Sequence, residues 1–396
     1  MREEKLFRAI GQIDGELVEE AANYKRRRAV WWKYGTLAAG LLLLVAVGRF
    51  TDLFSVPDGN EVTPGTEMGE SVADNVKEEI ENVQNAEKDI LDFTMNFDGM
   101  GFQGVMAYEM PKLGHPWQET DEITTLPVIE NNSIYNAENL SDLHPLYGEE
   151  YDPLLGWLAE AADFFGMGEI EPTIKKDRVF VENEEIEIEV NGDMEMKIHF
   201  ENGIALPDEF ELSNKATREE TYAVAEYLVD QYGKLLEMEN PEISICDGDY
   251  TFDAQRDRNE VRVYEKGDTA RETLLNYHFN YVRFVADEDL GLWLIHIVRN
   301  DMESVLGEYE IISVEEATKR LGEGKFDTTY HESEFPGVEY IRDVELMYYM
   351  SFIDDYKPYY CFWVEVPAEK QENGLNTYVA YYVPAVEMAY LELTFN

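Results

Sequence analysis

Residues 185–200 read EIEIEVNGDMEMKIHF. On either side of Asn191-Gly192-Asp193 apolar and polar residues alternate with period two, which is the period of a half-buried β-strand. The turn decides how the two strands pair. A two-residue Asn191-Gly192 turn sets Ile188 opposite Glu195 and mixes apolar and acidic side chains on one face. A three-residue loop, Asn191-Gly192-Asp193, pairs Val190 with Met194, Ile188 with Met196 and Ile186 with Ile198. Register follows the buried face, so the longer loop is expected.

The same reading extends along the chain. Pro153–Phe165 has helical spacing. Thr217-Arg-Glu-Glu220 is a capping box that opens a helix to about Leu236, and Ser313-Val-Glu-Glu316 opens a second one to about Leu321. Between the two boxes, strands are expected near 242–250, 259–265, 274–285 and 290–299. After the second they are expected near 338–350, 358–366, 376–384 and 389–395. Residues 111–150, with Pro111, Pro116, Pro127 and Pro145, read as loop-rich. The class is α+β with antiparallel sheets and a few packed helices. A helix followed by several strands occurs twice, which suggests a repeat without residue-level identity.

The N-terminal part is of another kind. Tyr34 to Gly48 is an uncharged run of 15 residues, preceded by Lys25-Arg26-Arg27-Arg28. Snorkelling of Lys33 and Arg49 extends the span to Trp31–Phe50, about 30 Å as a helix, and Trp31 and Trp32 suit the interfacial belt. The expected organisation is a cytosolic amphipathic segment at 1–29, a transmembrane helix at 30–50, and a linker and stalk helix at 51–90. An extracytoplasmic region follows at 91–396, with candidate divisions near 210 and 312. A cleaved signal peptide with its site at Ala46-Val47-Gly48 is the rival reading. In the head, Leu6, Ile10, Ile13 and Leu17 form one helical stripe that a short tail cannot bury alone, so they are the candidate contacts for a cytosolic partner.

The chain carries a formal net charge of −51 over 396 residues. The first 33 residues contribute +2 and the rest −53. That balance argues against nucleic-acid binding and leaves two readings of the acidity, a cation or basic ligand and a solvated surface. At 44% hydrophobic the chain can build a core. Cys246 and Cys361 are the only cysteines, so a disulfide between them is open and a multi-cysteine zinc site is excluded.

Chemical motifs are few. Gly99-Met-Gly101-Phe-Gln-Gly104 fits the dinucleotide pattern, but the following residues continue as strand where a helix is required. The six histidines show no paired ligand spacing. Asp247, Asp249, Asp253 and Asp257 resemble a calcium loop without its turn glycine and final glutamate. No nucleophile motif stands out. The expectation is therefore of no cofactor, no metal site and no catalytic residue. The densest aromatics fall in the last strands: Tyr348, Tyr349, Tyr359, Tyr360, Phe362, Trp363, Tyr378, Tyr381 and Tyr382. Both strand faces are apolar there, so a helix, another sheet or a ligand must cover each.

Three stretches resemble a group of membrane-anchored Firmicutes proteins: the head KLFRAIGQIDGELVEEA, the segment FDGMGFQGVMAYEM, and the C-terminal EYEIISVEEATKRLGEGKF with PYYCFWVEV and TYVAYYVPAV. The head is similar to the cytosolic part of proteins paired with extracytoplasmic-function sigma factors, although it lacks their His-x-x-x-Cys-x-x-Cys motif. The tail resembles PepSY-type regulatory domains of the outer surface. The resemblance implies a membrane-anchored sensor or regulator with a cytosolic protein partner and a cell-wall or protein ligand outside, and it brings no active-site residue. An extracytoplasmic binding protein without signalling and a cell-envelope hydrolase are the alternatives.

Overall fold

The computed structural model describes residues 91–392 except 94–102, 133–145, 169–170, 208–209, 211–214, 252, 257–259, 288–290, 301, 331–334 and 350–353. The stripe Leu6, Ile10, Ile13 and Leu17, the anchor residues Trp31, Trp32, Lys33 and Arg49, the stalk, Gly99, Gly101 and Asp257 lie outside the described residues. Among the described residues no helix is long and apolar enough to cross a membrane.

In chain order the elements begin with β1 (Leu91–Asp92), β2 (Gly104–Ala107) and β3 (Thr125–Ile129). Then come α1 (Asp152–Phe164), β4 (Thr173–Ile174), β5 (Arg178–Glu182), β6 (Ile186–Asn191) and β7 (Glu195–Ile204). They are followed by α2 (Arg218–Leu236), β8 (Pro241–Cys246), β9 (Glu260–Glu265), α3 (Ala270–Phe279), β10 (Asn280–Asp287) and β11 (Gly291–Arg299). The last group is β12 (Val305–Glu310), α4 (Val314–Gly322), β13 (Ile341–Tyr348), β14 (Pro358–Glu365), β15 (Asn376–Pro384) and β16 (Leu391–Glu392). The fold is mixed α+β and mostly sheet.

An eight-stranded antiparallel sheet has the order β4-β5-β6-β7-β11-β10-β9-β8. Because β7 pairs with β11, the sheet runs unbroken across position 210. One face packs on α1 and α2: Leu158, Val224 and Leu228 from the helices meet Val190, Ile198, Val263 and Ile297 from the strands. The hairpin β6–β7 confirms alternation and corrects the register. Val190 pairs with Met196, Ile188 with Ile198 and Ile186 with Phe200, two residues further than expected. A shift of two leaves every side chain on its original face, so burial alone could not choose between the registers. Asn191 decides it. It stays in the strand, and its Oδ1 accepts from the N–H groups of Asp193 and Glu195 at 3.1 and 3.0 Å. The loop is then Gly192-Asp193-Met194, with Met194 in the left-handed region at φ 56°.

Other boundaries follow from local chemistry. Thr217 caps α2 through a reciprocal bond with Glu220, and the helix ends at Leu236 as expected. The strand expected at 274–285 is half helix. Thr269 and Glu272 make another capping box, which opens α3, and β10 begins only at Asn280. His278 is therefore in the last turn of a helix and not in a strand. Within 111–150 lies β3, which pairs with β12, an element also missing from the sequence reading. Pro127 is tolerated inside β3 because that strand belongs to a two-stranded sheet, and its second side is bridged at Ile129, to Tyr356, and not at the proline. The last expected strand opens at β16, after a 3₁₀ turn at Met388–Tyr390, and residues 393–396 lie outside the described residues.

The second sheet has the order β13-β14-β15-β2, all antiparallel. It is buried on both faces. Tyr348, Tyr360, Phe362 and Tyr381 lie with Ala317 and Leu321 of α4 and with Leu274 and Phe279 of α3. Tyr359, Cys361 and Tyr382 lie with Leu91, Phe93, Val128 and Tyr309. Cys246 and Cys361 are both free thiols.

Candidate functional site

The face of the eight-stranded sheet opposite the helices carries a row of charge. Reading directly paired residues across the sheet gives Glu189, Lys197, His296, Arg283, Arg262 and Ser244. Each basic member sits between two apolar neighbours that point into the helix-covered core, for example Ile295 and Ile297 around His296. Alternation thus forces four basic side chains onto one line of the opposite face.

Carboxylates answer this row. Glu189 pairs with Arg178 at 3.1 Å, Glu260 with Arg283 at 3.0 Å, and Glu195 reaches His296 Nε2 at 3.6 Å. Burial pushes the Glu195 carboxyl up, but the His296 contact and the charge of Lys197 outweigh it and hold the group below its ordinary value. Burial and the nearby Lys197 lower His199, while burial and the carboxylates of Glu182, Glu189 and Glu201 raise Glu187.

At the β9 end of the row the second sheet and α3 close over Arg262. Its guanidinium lies over the rings of Tyr277 and Tyr281, 4.6 and 4.2 Å from their centroids, and donates to the Tyr277 carbonyl at 3.2 Å. Such a cation–π sandwich keeps the charge fixed where water is scarce. The loop carrying His115 is clamped to β8 at Gly114, whose φ is +72° and where a Cβ would lie 2.5 Å from Ser244 Oγ. Ser244 Oγ donates to the Gly114 carbonyl at 2.6 Å. His115 Nδ1 accepts from Trp117 N–H at 3.2 Å, which leaves the proton of the neutral ring on Nε2, an atom sealed from solvent. Burial, helped by Arg262, lowers His115 to about 3. His278 Nε2 accepts from Tyr348 N–H at 3.4 Å, and burial lowers this histidine well below its ordinary value.

Glu345 faces the same junction from β13 and is only 7% exposed. Burial raises it to about 7, against the Trp363 Nε1–H donated to its Oε2 at 3.2 Å and the charge of Arg262. Burial and the surrounding carboxylates push the Cys246 thiol up to about 12, so it is held as the thiol and not the nucleophilic thiolate.

A pocket of about 420 Å³ opens where β9 and β11 end, β10 begins and α2 gives way to its C-terminal loop. Leu236, Met238, Ile297 and Val298 line it with Glu265, Asn276, Asn280, Tyr281 and Arg299. Tyr281 is common to the pocket and to the Arg262 sandwich.

The aspartates of the calcium-like loop are engaged otherwise. Asp247 pairs with Arg218 at 3.1 Å, Asp249 accepts from Met106 N–H at 3.0 Å, and Asp253 accepts from Thr251 and Gln255 at 2.6 and 2.8 Å. Among the described residues no group of His, Cys, Asp or Glu could hold a metal ion. Gly104 opens β2, which runs as strand, so this part of the glycine motif serves a sheet edge.

The sequence reading missed the charged row, the Arg262 sandwich and the pocket. A signal was present: Met-Lys-Ile, Ile-His-Ile, Val-Arg-Phe and Val-Arg-Val each set one basic residue between two core positions. No protein-family model matches the chain, and no curated protein matches it.

Proposed function

We propose that the chain is a membrane-anchored extracytoplasmic sensor or regulator without enzymatic activity. Its outer body binds a cell-wall or protein ligand, and its inner helix engages a cytosolic partner such as a sigma factor. One observation carries the reading: the uncharged run Tyr34–Gly48 between a head of net +2 and an outer part of net −53. The geometry of the outer body supports a coupling role. β1 joins the stalk to the body by parallel pairing with β16, Leu91 to Leu391, and the next buried side chain, Phe93, lies 5.1 Å from Tyr359 ring to ring. The tether is thus seated in the aromatic core and is not hung from a surface loop. The pocket beside Tyr281 is a concave site offered to a ligand.

Protease added to intact protoplasts tests the topology. The bulk of the chain should be removed and a small N-terminal fragment protected; a mature protein in the medium beginning near Arg49 overturns the anchor. The inner partner is tested by pull-down with residues 1–29. Ile10→Glu with Ile13→Glu should abolish capture, because two desolvated Ile side chains represent about 3–6 kcal/mol of burial. A head that captures nothing specific favours the second reading, an anchored binding protein without signalling.

A further inference from the structure

The pocket between the α2 terminus and the β10 start has an unequal inventory of polar groups. Asn276 Nδ2 donates to the Glu265 carbonyl at 3.0 Å, and Asn280 Nδ2 is spent on Met302 sulfur at 3.8 Å. The Oδ1 atoms of both residues have no partner among the described residues. Glu265 Oε1 accepts from Asn240 N–H at 2.9 Å, while Oε2 is buried with no hydrogen-bond partner. No cation among the described residues pairs with this carboxylate. The single cationic group of the pocket, Arg299, is committed to Glu237 at 2.8 Å and lies over the Trp157 ring at 4.7 Å. Against these acceptors, joined by the carboxylates of Glu237 and Glu239 that also line the pocket, stand the Tyr281 hydroxyl and the second N–H of each amide, and the Tyr281 ring is held in place by Arg262. Leu236, Met238, Ile297 and Val298 supply an aliphatic wall.

An acceptor-rich site with an uncompensated carboxylate and an aliphatic wall fits a donor-rich cation on a short apolar stem. We propose that this pocket binds a primary ammonium group on an aliphatic chain, with Glu265 supplying the counter-charge, Asn276 and Asn280 accepting its N–H bonds, and the wall packing on its methylenes. This inference rests on the reading of the outer body as a ligand binder and names the chemistry of its ligand. The same ammonium could arrive on a small diamine or on a lysine of a protein ligand.

Calorimetric titration of the purified full-length chain tests it, with three probes: 1,5-diaminopentane, 1,5-pentanediol, and an N-acetylated, C-amidated Gly-Lys-Gly peptide. Saturable binding of the diamine is expected at constant ionic strength, with the uncharged diol at least tenfold weaker. Glu265→Gln should weaken the diamine about tenfold or more. Asn280→Leu, which leaves the Asn240 contacts intact, should also weaken it and covers the case in which Glu265→Gln fails to fold. Stronger binding of the peptide assigns the site to a lysine of a protein ligand; stronger binding of the diamine assigns it to a free amine. Equal affinity for the diol, heat that only follows salt concentration, or unchanged affinity in both variants overturns the proposal. The titration reads binding in solution. Its failure would leave the membrane topology standing, and failure of the protoplast experiment would leave the pocket standing.

Discussion

The two large sheets solve burial differently. Along β7 of the eight-stranded sheet, side chains alternate between buried and half-exposed, so Lys197 and Ile198 are neighbours with opposite environments. Along β15 of the four-stranded sheet, buried residues follow one another without a break from Thr377 to Pro384. The first sheet needs one layer of helices and keeps a face for charge. The second needs cover on both sides, which it receives from α3 and α4 on one face and from Leu91, Phe93, Val128 and Tyr309 on the other. The charged row lies on the face of the first sheet left by the helices, covered only at its β9 end, and the pocket opens at the end of the same sheet beside α2. Alternation is therefore what made room for chemistry.

Adjacent substitutions test this contrast most severely. In the four-stranded sheet both Tyr381→Ala and Tyr382→Ala should cost about 3–5 kcal/mol, since each removes a buried aromatic. In β7, Ile198→Ala should cost about 2–5 kcal/mol and Lys197→Ala no more than about 0.5 kcal/mol. Urea midpoints with unchanged slopes would report the differences. A mild Tyr382→Ala would break the comparison.

The junction between the sheets should make stability depend on pH in two directions. Glu345 is raised from 4.5 to about 7, so between these values the folded state holds a proton that the unfolded state has lost. Stability then falls as pH rises through that window, by up to about 3 kcal/mol, and stays lowered above it. His115, lowered from 6.5 to about 3, acts oppositely: the unfolded state takes the proton first, and stability falls as pH drops below 6.5. An optimum on the weakly acidic side is expected. Glu345→Gln should flatten the alkaline limb and make the protein more stable than wild type at pH 8. An unaltered limb in that variant would show that the decline has another origin.

Smaller effects sharpen the comparison. The Tyr381 hydroxyl is buried without a hydrogen-bond partner among the described residues, so Tyr381→Phe should stabilise by about 1 kcal/mol where Tyr381→Ala destabilises. In the β6–β7 hairpin, Met194 holds a positive φ that favours glycine. Met194→Gly should raise the melting temperature slightly, by less than about 1 kcal/mol in stability. A loss of stability there would mean that the Met194 side chain contributes more to the core beside it than its backbone strain costs.

Much of the fold was legible wherever one local rule applied. Thr217 with Glu220 set the start of α2, and the alternation at 185–200 set which side chains are buried. Where two local patterns overlapped, the reading failed. Thr269 and Glu272 open a helix directly before a strand, and the apolar residues of 274–285 could be read as one long strand. Pro127 disguised β3, because a proline in a strand is admissible only at an edge and the edge is defined by partners distant in sequence. The candidate site was legible only as four isolated triplets. Lys197, His296, Arg283 and Arg262 become neighbours through the pairing of β7 with β11 and of β10 with β9, which no segment of the chain specifies alone.

By itself the sequence determined the α+β class, the alternation at 185–200, the caps of two helices, the apolar span with its basic flank, and the division of charge along the chain. These depend on residues within a few positions of one another, where propensity and capping act. Only the tertiary structure decided the hairpin register, the cover on each face of the aromatic sheet, the sandwich around Arg262, and the burial of His115 and Glu345. Those outcomes depend on which distant segments exclude water from one another, and on a two-residue slip that leaves every buried face unchanged.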